Sequence, residues 1–225
     1  MFDGLDDAYP LTSLQQGMLY ETLKNPDSDV YVAYITIDIL PGLNPERLQS
    51  AWLRAKKKHE TLRTRFVWEG LDEPLQLVES DTHLNWTECG NPPVEADIQS
   101  NSGDAIVDYW LQCERDMPLS LSDSPPMRLR LIALPDGKQV LIWTVHHLLA
   151  DDWSTPLVLK TVAEFYDATA TVTEGSTVNT KQLAFGRYVD WLSKSSNEAS
   201  LQWWTNALAT ARPTPLLLGG GVGTR

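Results

Sequence analysis

The clearest pattern is an alternation of arginine and apolar residues over residues 127–134, followed after a short turn by a nearly continuous apolar run over residues 139–145. A period of two is typical of a strand with one buried face, and a continuous apolar run indicates a strand buried on both faces. Pro135 and Gly137 favour a tight turn between the two, because proline fixes φ and glycine accepts a positive φ. The pattern predicts an antiparallel strand pair whose second strand delivers His146 at its end.

Helix and strand signals alternate along the rest of the chain. Thr12 and Gln15 have capping-box spacing, and Asn44 followed by Pro45 gives a cap with a first-turn proline. Further helices are predicted over residues 106–115, from Pro156 onwards, and over residues 186–193 and 198–210. Strands are predicted over residues 30–40, 63–68 and 74–78. Loops are predicted over residues 6–10 and 175–180, and residues 81–103 are predicted to be rich in loops. Interleaved strands and helices predict an α/β fold, with a mixed β-sheet flanked by helices.

Composition narrows the classes of function. Eighteen basic and thirty acidic residues give a net charge of -12, which argues against binding of nucleic acid or an anionic membrane. Cys89 and Cys113 form neither a disulfide framework nor a zinc signature, so we expect reduced thiols and no metal site. The first residues lack the regions of a signal peptide, and no apolar run reaches the ~20 residues that span a bilayer. These features predict a cytoplasmic protein.

The candidate chemistry lies where the apolar strand ends. The run there is His146-His147-Leu148-Leu149-Ala150-Asp151-Asp152-Trp153-Ser154. A histidine at a strand end can exchange a proton near neutral pH, and the aspartate can hold a turn or form an ion pair. Paired histidines are also common in purely structural settings, so the spacing alone leaves both interpretations open.

The run resembles the His-His-x-x-x-Asp-Gly core motif of condensation domains from nonribosomal peptide synthetases. Three more segments are similar to motifs of that family and follow its order: residues 9–19 (YPLTSLQQGML), 58–66 (KHETLRTRF) and 188–192 (YVDWL). Together with the histidine run, they are spread over nearly the whole length of the chain. The resemblance is to the N-terminal, histidine-bearing lobe of such a domain.

The resemblance implies a fold of two lobes, each like chloramphenicol acetyltransferase, with a tunnel between them. Donor and acceptor peptidyl carrier proteins dock at opposite ends, each with a thioester on a phosphopantetheine arm, so no cofactor is expected to bind this chain directly. The acceptor amine attacks the donor thioester and a peptide bond forms. Other implied partners are the C-terminal lobe and the neighbouring synthetase domains.

The resemblance also assigns residues. His147 matches the family's catalytic histidine, acting as general base or as a positioner of the amine. Asp151 matches the structural aspartate, for which Arg63 is one candidate ion-pair partner. His146 is expected to be structural. The residues expected to line the substrate channel, by analogy only, are Trp153, Ser154, Tyr9 and Met18.

Two departures from the family pattern change the expectation. Asp152 stands where the family has glycine, which would allow a tight turn or a close approach to substrate. The motifs of the second lobe are absent, so we expect residues 1–215 to be the N-terminal lobe and residues 216–225, which are glycine-rich, an interlobe linker or the end of the lobe. A lobe without its partner cannot form the tunnel, and little condensation is expected from this chain alone.

Three alternatives stay open on the sequence. They are an epimerisation domain of the same fold, an acyltransferase that uses coenzyme A, and a non-catalytic lobe that docks carrier proteins. The Asp-x-Trp-Ser sequence that begins at Asp151 favours condensation over epimerisation.

Overall fold

The computed structural model describes residues 4–80, 83–93, 102–168, 185–195 and 197–212. The chain divides into two compact units, residues 1–189 and residues 190–225. The strands are β1 (Leu5–Pro10), β2 (Val32–Ile39), β3 (Thr64–Val67), β4 (Leu75–Glu79), β5 (Trp86–Cys89), β6 (Met127–Ala133) and β7 (Gln139–His146). The helices are α1 (Ser13–Lys24), α2 (Pro45–Lys58), α3 (Gly103–Arg115), α4 (Ser154–Ala168), α5 (Phe185–Lys194) and α6 (Glu198–Leu208), with a short 3-10 helix at Glu60–Arg63.

The strands of the first unit form two sheets. One is antiparallel, with the order β1-β4-β3. The other has the order β2-β7-β6-β5, in which β5 runs parallel to β6 and the remaining pairs are antiparallel. The predicted α/β class with a mixed sheet flanked by helices is confirmed.

One face of the four-stranded sheet packs against α2 and α4. Trp52 of α2 meets Trp143 of β7 edge-on, with ring centroids 5.0 Å apart, and both side chains are fully buried. Truncation of a buried tryptophan to alanine typically costs about 3–5 kcal/mol. The core around this pair includes Leu48, Leu129, Leu131, Leu141, Val145, Val158 and Val162. Trp52 and Trp143 are therefore residues of the main core.

The opposite face carries α3 and a buried ionic group, the Glu114 cluster, made of Glu114, Arg128, Arg130 and Thr144. The carboxylate of Glu114 accepts hydrogen bonds from Arg128 Nε (2.9 Å), Arg130 Nε (2.7 Å) and Thr144 Oγ1 (2.9 Å). Burial alone raises the pKa of Glu114, but the hydrogen bonds from Arg130 and Arg128 outweigh it and hold that pKa below its ordinary value. The prediction that β6 has one solvent-facing side was wrong, because α3 covers its arginines.

One prediction of irregular structure was wrong. Residues 6–10 were predicted as an acidic loop, but they belong to β1, an edge strand paired with β4. Charged residues are common on edge strands, where they oppose pairing with other chains. The stretch 81–103 was predicted to be rich in loops, and its described part contains β5, a four-residue strand at the edge of the other sheet. Residues 81–82 and 94–101 of this stretch lie outside the described residues.

The second unit is described by α6, whose predicted range of 198–210 is confirmed within two residues. Trp203 and Trp204 of this helix pack edge to face, with centroids 4.7 Å apart. Residues 175–180 and 216–225, predicted as a loop and as a linker or lobe end, lie outside the described residues. No helix in the described part of the chain is both long enough and apolar enough to cross a bilayer.

Candidate active site

Strand β7 brings the histidine pair to one end of the four-stranded sheet. His146 is its last residue and pairs with Val32 of β2. The next backbone N–H, that of His147, donates to the carbonyl of Tyr31 over 2.8 Å. Tyr31 has a φ of 62°, and among the described residues it is the only non-glycine with a positive φ. Such a backbone is strained by about 1–3 kcal/mol and is typical of positions held in place by functional constraints.

Both ring nitrogens of His146 form hydrogen bonds. The N–H of Leu148 donates to Nδ1 over 3.1 Å, so Nδ1 carries no proton. In the neutral ring the proton is therefore on Nε2, which lies 3.1 Å from the hydroxyl of Thr22 and donates to it. His146 is 1% exposed, and burial, aided by neighbouring His147, lowers its pKa to about 4. A neutral ring with both nitrogens occupied fits the predicted structural role.

His147 has the opposite arrangement. Its Nδ1 lies 3.1 Å from the carbonyl oxygen of Ala150, and a carbonyl only accepts, so Nδ1 carries the proton. The neutral ring then has a lone pair on Nε2, and no group in the described part of the chain hydrogen-bonds that atom. The side chain is half-buried. Its geometry therefore fixes the ring through Nδ1 and leaves the lone pair of Nε2 without a hydrogen bond from the described residues.

Asp151 begins α4. Its Oδ1 accepts from the backbone N–H of Ser154 over 2.7 Å and also from the Ser154 hydroxyl. Its carbonyl accepts from the N–H of Thr155 over 3.0 Å. These are the bonds of a helix N-cap. The hydrogen bonds from Ser154 hold the pKa of Asp151 below its ordinary value, so at neutral pH the residue is an ionised cap.

The sequence profile of the condensation domain family matches residues 5–219. The chain belongs to the condensation domain family. It is 33% identical over 219 residues to one of the linear gramicidin synthase proteins of Brevibacillus parabrevis, covering 97% of this chain and 4% of that protein. It is 30% identical over 257 residues to chondramide synthase cmdD of Chondromyces crocatus, covering 96% of this chain and 6% of that protein.

Solved condensation domains share the fold. The starter condensation domain of rhizomide synthetase RzmA superposes with a TM-score of 0.74 at 18% identity, covering 92% of this chain and 49% of that one. The first condensation domain of the CDA synthetase gives a TM-score of 0.68 at 18% identity, with coverages of 93% and 51%. The chain thus spans about half the length of these solved chains and a few per cent of the curated relatives.

The candidate condensation-domain ion pair between Arg63 and Asp151 was wrong. Arg63 Nη1 donates to the carboxylate of Asp6 over 2.6 Å and to the carbonyl of Glu79. The reason is topological, because β1 and β4 pair beside Arg63 and supply both acceptors. Arg63 therefore stabilises the three-stranded sheet, and the oxygen of Asp151 is satisfied by the start of α4.

The departure at Asp152 leaves the backbone in an ordinary conformation. Asp152 lies in an exposed turn, and its φ is not positive. The left-handed freedom of glycine is therefore not needed here. Trp153 beside it is 87% exposed, whereas the hydroxyl of Ser154 is used by Asp151. The channel role of Trp153 and Ser154 stays a prediction.

Tyr9 and Met18, the other channel candidates, occupy different places. Tyr9 is buried in β1, its ring 6.3 Å from that of Phe185. Burial raises the pKa of its hydroxyl, which has no hydrogen-bond partner among the described residues. Met18 packs against the main core, and its carbonyl accepts from the hydroxyl of Thr22. The same Thr22 hydroxyl accepts the hydrogen bond from Nε2 of His146. Met18 is therefore connected to the histidine pair only through Thr22.

Sequence reasoning missed three residues that hold the histidine loop, defined here as residues 146–151. They are Thr22, Tyr31 and Gln15, whose Nε2 donates to the carbonyl of Leu148 over 3.2 Å. Gln15 was identified only as a capping residue, and the cap is present. In the described residues no group of three or more His, Cys, Asp or Glu is placed to hold a metal ion.

Proposed function

We propose that this chain is the histidine-bearing half of a condensation domain that joins two carrier-bound aminoacyl or peptidyl thioesters. His147 acts on the attacking amine of the acceptor. The C-terminal half of the domain, two peptidyl carrier proteins and the neighbouring synthetase domains complete the machinery. The single observation that carries the proposal is the free Nε2 of His147, with its Nδ1–H fixed on Ala150.

The proposed step exchanges a thioester for an amide. The amine nitrogen forms a bond to the thioester carbonyl carbon, and the carbon–sulfur bond breaks. The amine gives up one proton, which Nε2 of His147 accepts and returns to the departing thiolate. The phosphopantetheine arms carry the substrates, and the chemistry needs no separate cofactor site.

Two features of the loop suit this step. The Ala150 carbonyl lies on the Nδ1–H side of the ring, so it stabilises the positive charge that develops when Nε2 takes a proton. The same bond fixes the ring plane, and correct placement of reacting groups can contribute up to about 7–11 kcal/mol to lowering a barrier. A general base typically adds about 10²–10⁴ in rate.

The test is single-turnover transfer between a loaded donor carrier and a loaded acceptor carrier, catalysed by the full-length protein that contains this chain. His147→Asn keeps a donor near the position of Nδ1 but has no basic nitrogen. We expect it to lower the rate by about 10²–10⁴ with an unchanged melting temperature. His83→Asn, in an exposed residue outside the histidine loop, is the matched control and should retain the wild-type rate.

The outcomes separate the alternatives. Product from carrier-bound donors that persists in His147→Asn removes His147 from the chemistry. Inverted stereochemistry at a single carrier-bound residue, without transfer, indicates epimerisation. Transfer from a coenzyme A thioester but not from a carrier indicates a coenzyme A acyltransferase. Carrier binding without any turnover by the wild type indicates a docking lobe.

A further inference from the structure

Two glutamines distant in sequence form a buried amide pair beneath the histidine loop. Nε2 of Gln15, in α1, donates to Oε1 of Gln76, in β4, over 3.2 Å. In return, Nε2 of Gln76 donates to Oε1 of Gln15 over 3.1 Å. Gln76 is 1% exposed and Gln15 is also buried. Buried amides of this kind destabilise a fold unless their hydrogen bonds are made.

Every amide N–H of the pair has an acceptor. The second N–H of Gln76 donates to the carbonyl of Pro10 over 2.9 Å. The second N–H of Gln15 donates to the carbonyl of Leu148 over 3.2 Å. Oε1 of Gln15 also accepts from the N–H of Thr12 over 3.0 Å. Rotating either amide by 180° would place acceptor against acceptor, so Gln76 fixes which way Gln15 points, together with the Thr12 N–H and the Leu148 carbonyl.

The acceptor that matters is Leu148, the residue directly after His147. Its N–H is held by the ring of His146 and its carbonyl by Gln15. The N–H of His147 is held in turn by Tyr31. The backbone on both sides of the imidazole is therefore fixed by the neighbouring ring of His146, by Gln15 of α1 and by the carbonyl of Tyr31.

We propose that Gln15, oriented by Gln76, is a positioning residue for His147, and that the tether to Leu148 keeps Nδ1–H of His147 on Ala150. The effect on turnover rests on the proposed function, whereas the effect on the imidazole does not. A capping role alone would require only the oxygen of Gln15. The donor side of the amide is what distinguishes a tether from a cap.

Gln15→Glu separates those two roles. A carboxylate keeps the acceptor for the Thr12 N–H, and glutamate is a normal capping-box residue, but its ionised form has no proton for Leu148. Gln76→Met removes the residue that orients Gln15 and leaves the tether atom in place. Gln16→Glu is the matched control, because Gln16 is the next residue and its Nε2 donates instead to the carbonyl of Leu11, two residues before α1.

Two measurements read the variants. In the full-length protein we expect kcat of transfer to fall about 10- to 100-fold in Gln15→Glu and less in Gln76→Met, with KM for the carriers within about threefold, since small misplacements of reacting groups are costly in rate. In the 225-residue chain, ¹⁵N shifts of the imidazoles should show His147 with its proton on Nδ1 in the wild type and Gln16→Glu. Both tethering variants should show a mixture of tautomers.

Variants that melt lower but keep both the wild-type kcat and the Nδ1–H tautomer would overturn the proposal. If Gln15→Glu does not fold, Gln76→Met gives the same two readings. A wild type that transfers nothing would refute the proposed function, and the tautomer measurement would still decide whether Gln15 positions His147.

Discussion

Strand β7 contributes to two polar clusters on the same face of its sheet, Thr144 to the Glu114 cluster and His146 to the histidine loop. The first is ionic and closed, with one carboxylate receiving three side-chain donors. In the histidine loop, the buried His146 is uncharged. The half-buried His147 has one ring nitrogen, Nε2, that receives no hydrogen bond from the described residues. The difference suggests a rule for interpreting such clusters. A buried group whose hydrogen-bonding atoms all have partners stabilises the fold, whereas a fixed ring with one nitrogen that lacks a partner is a candidate for chemistry.

The largest expected effect comes from opening the closed cluster. Glu114→Ala leaves two largely buried guanidinium groups without their carboxylate, and breaking a buried pair in this way typically costs about 3–5 kcal/mol. Urea unfolding of the chain measures the loss. Glu79→Ala, which breaks the more exposed pair with Arg65, is the comparison and should cost less than Glu114→Ala. Equal losses in the two variants would contradict the view of the Glu114 cluster as an anchor.

The next effect is pH-dependent and tests the saturation of His146. In the unfolded chain the ring protonates near its ordinary pKa of 6.5, but in the folded chain it does so only near 4. Protons therefore bind the unfolded state first, and stability falls as pH drops from about 6.5 to 4, by roughly 3 kcal/mol in total. His146→Gln should lose this contribution in urea unfolding at pH 7, 6 and 5. If the difference in free energy of unfolding between the wild type and His146→Gln does not change with pH, His146 is not a buried, neutral residue with both ring nitrogens hydrogen-bonded.

The surroundings of these two clusters also show how much of the structure could be predicted from the sequence. Local signals were sufficient for α1, because Thr12 and Gln15 are three residues apart, and for α2, where Asn44 accepts from the N–H of Arg47. They were also sufficient to place His146 and His147 at a strand end. Each of these depends on neighbours within one turn or one strand.

Partners chosen by the tertiary fold were not predictable. The alternation that led to a half-exposed β6 is real, but its polar face is covered because Glu114 arrives on a helix that lies elsewhere in the sequence. Arg63 had a plausible partner in Asp151, and nothing local indicated that Asp6 would compete for it. The short edge strands β1 and β5 derive their order from pairing with β4 and β6, not from their own composition.

A smaller effect is expected at the helix that follows the histidine loop. Asp151→Ala removes an N-cap, which typically costs about 1 kcal/mol, within a range of 0.5–2. Thermal denaturation should show this loss, while transfer per folded molecule changes less. Asp151→Asn keeps an acceptor at the cap and should melt close to the wild type. A stable but inactive Asp151→Ala would assign the carboxylate to the chemistry instead.

The smallest effect is expected next to it. Asp152→Gly relieves no strain, because the φ of Asp152 is not positive, and it frees the unfolded chain, so stability should fall by less than about 1 kcal/mol. Transfer should be preserved. Asp152→Asn removes the charge alone and separates its effect from that of the backbone. A gain in stability on introducing glycine would show that the turn is strained after all.

The register between β2 and β7 has a consequence during synthesis. Residue 32 meets residue 146, so the first long strand of the sheet leaves the ribosome well before its neighbour exists. At about 5–20 residues per second, that delay is on the order of ten seconds, during which apolar β2 is unpaired. The hydrogen bond from the His147 N–H to the Tyr31 carbonyl can form only once both segments exist, so the histidine end of this sheet assembles later than the three-stranded sheet, whose strands are all synthesised by residue 79.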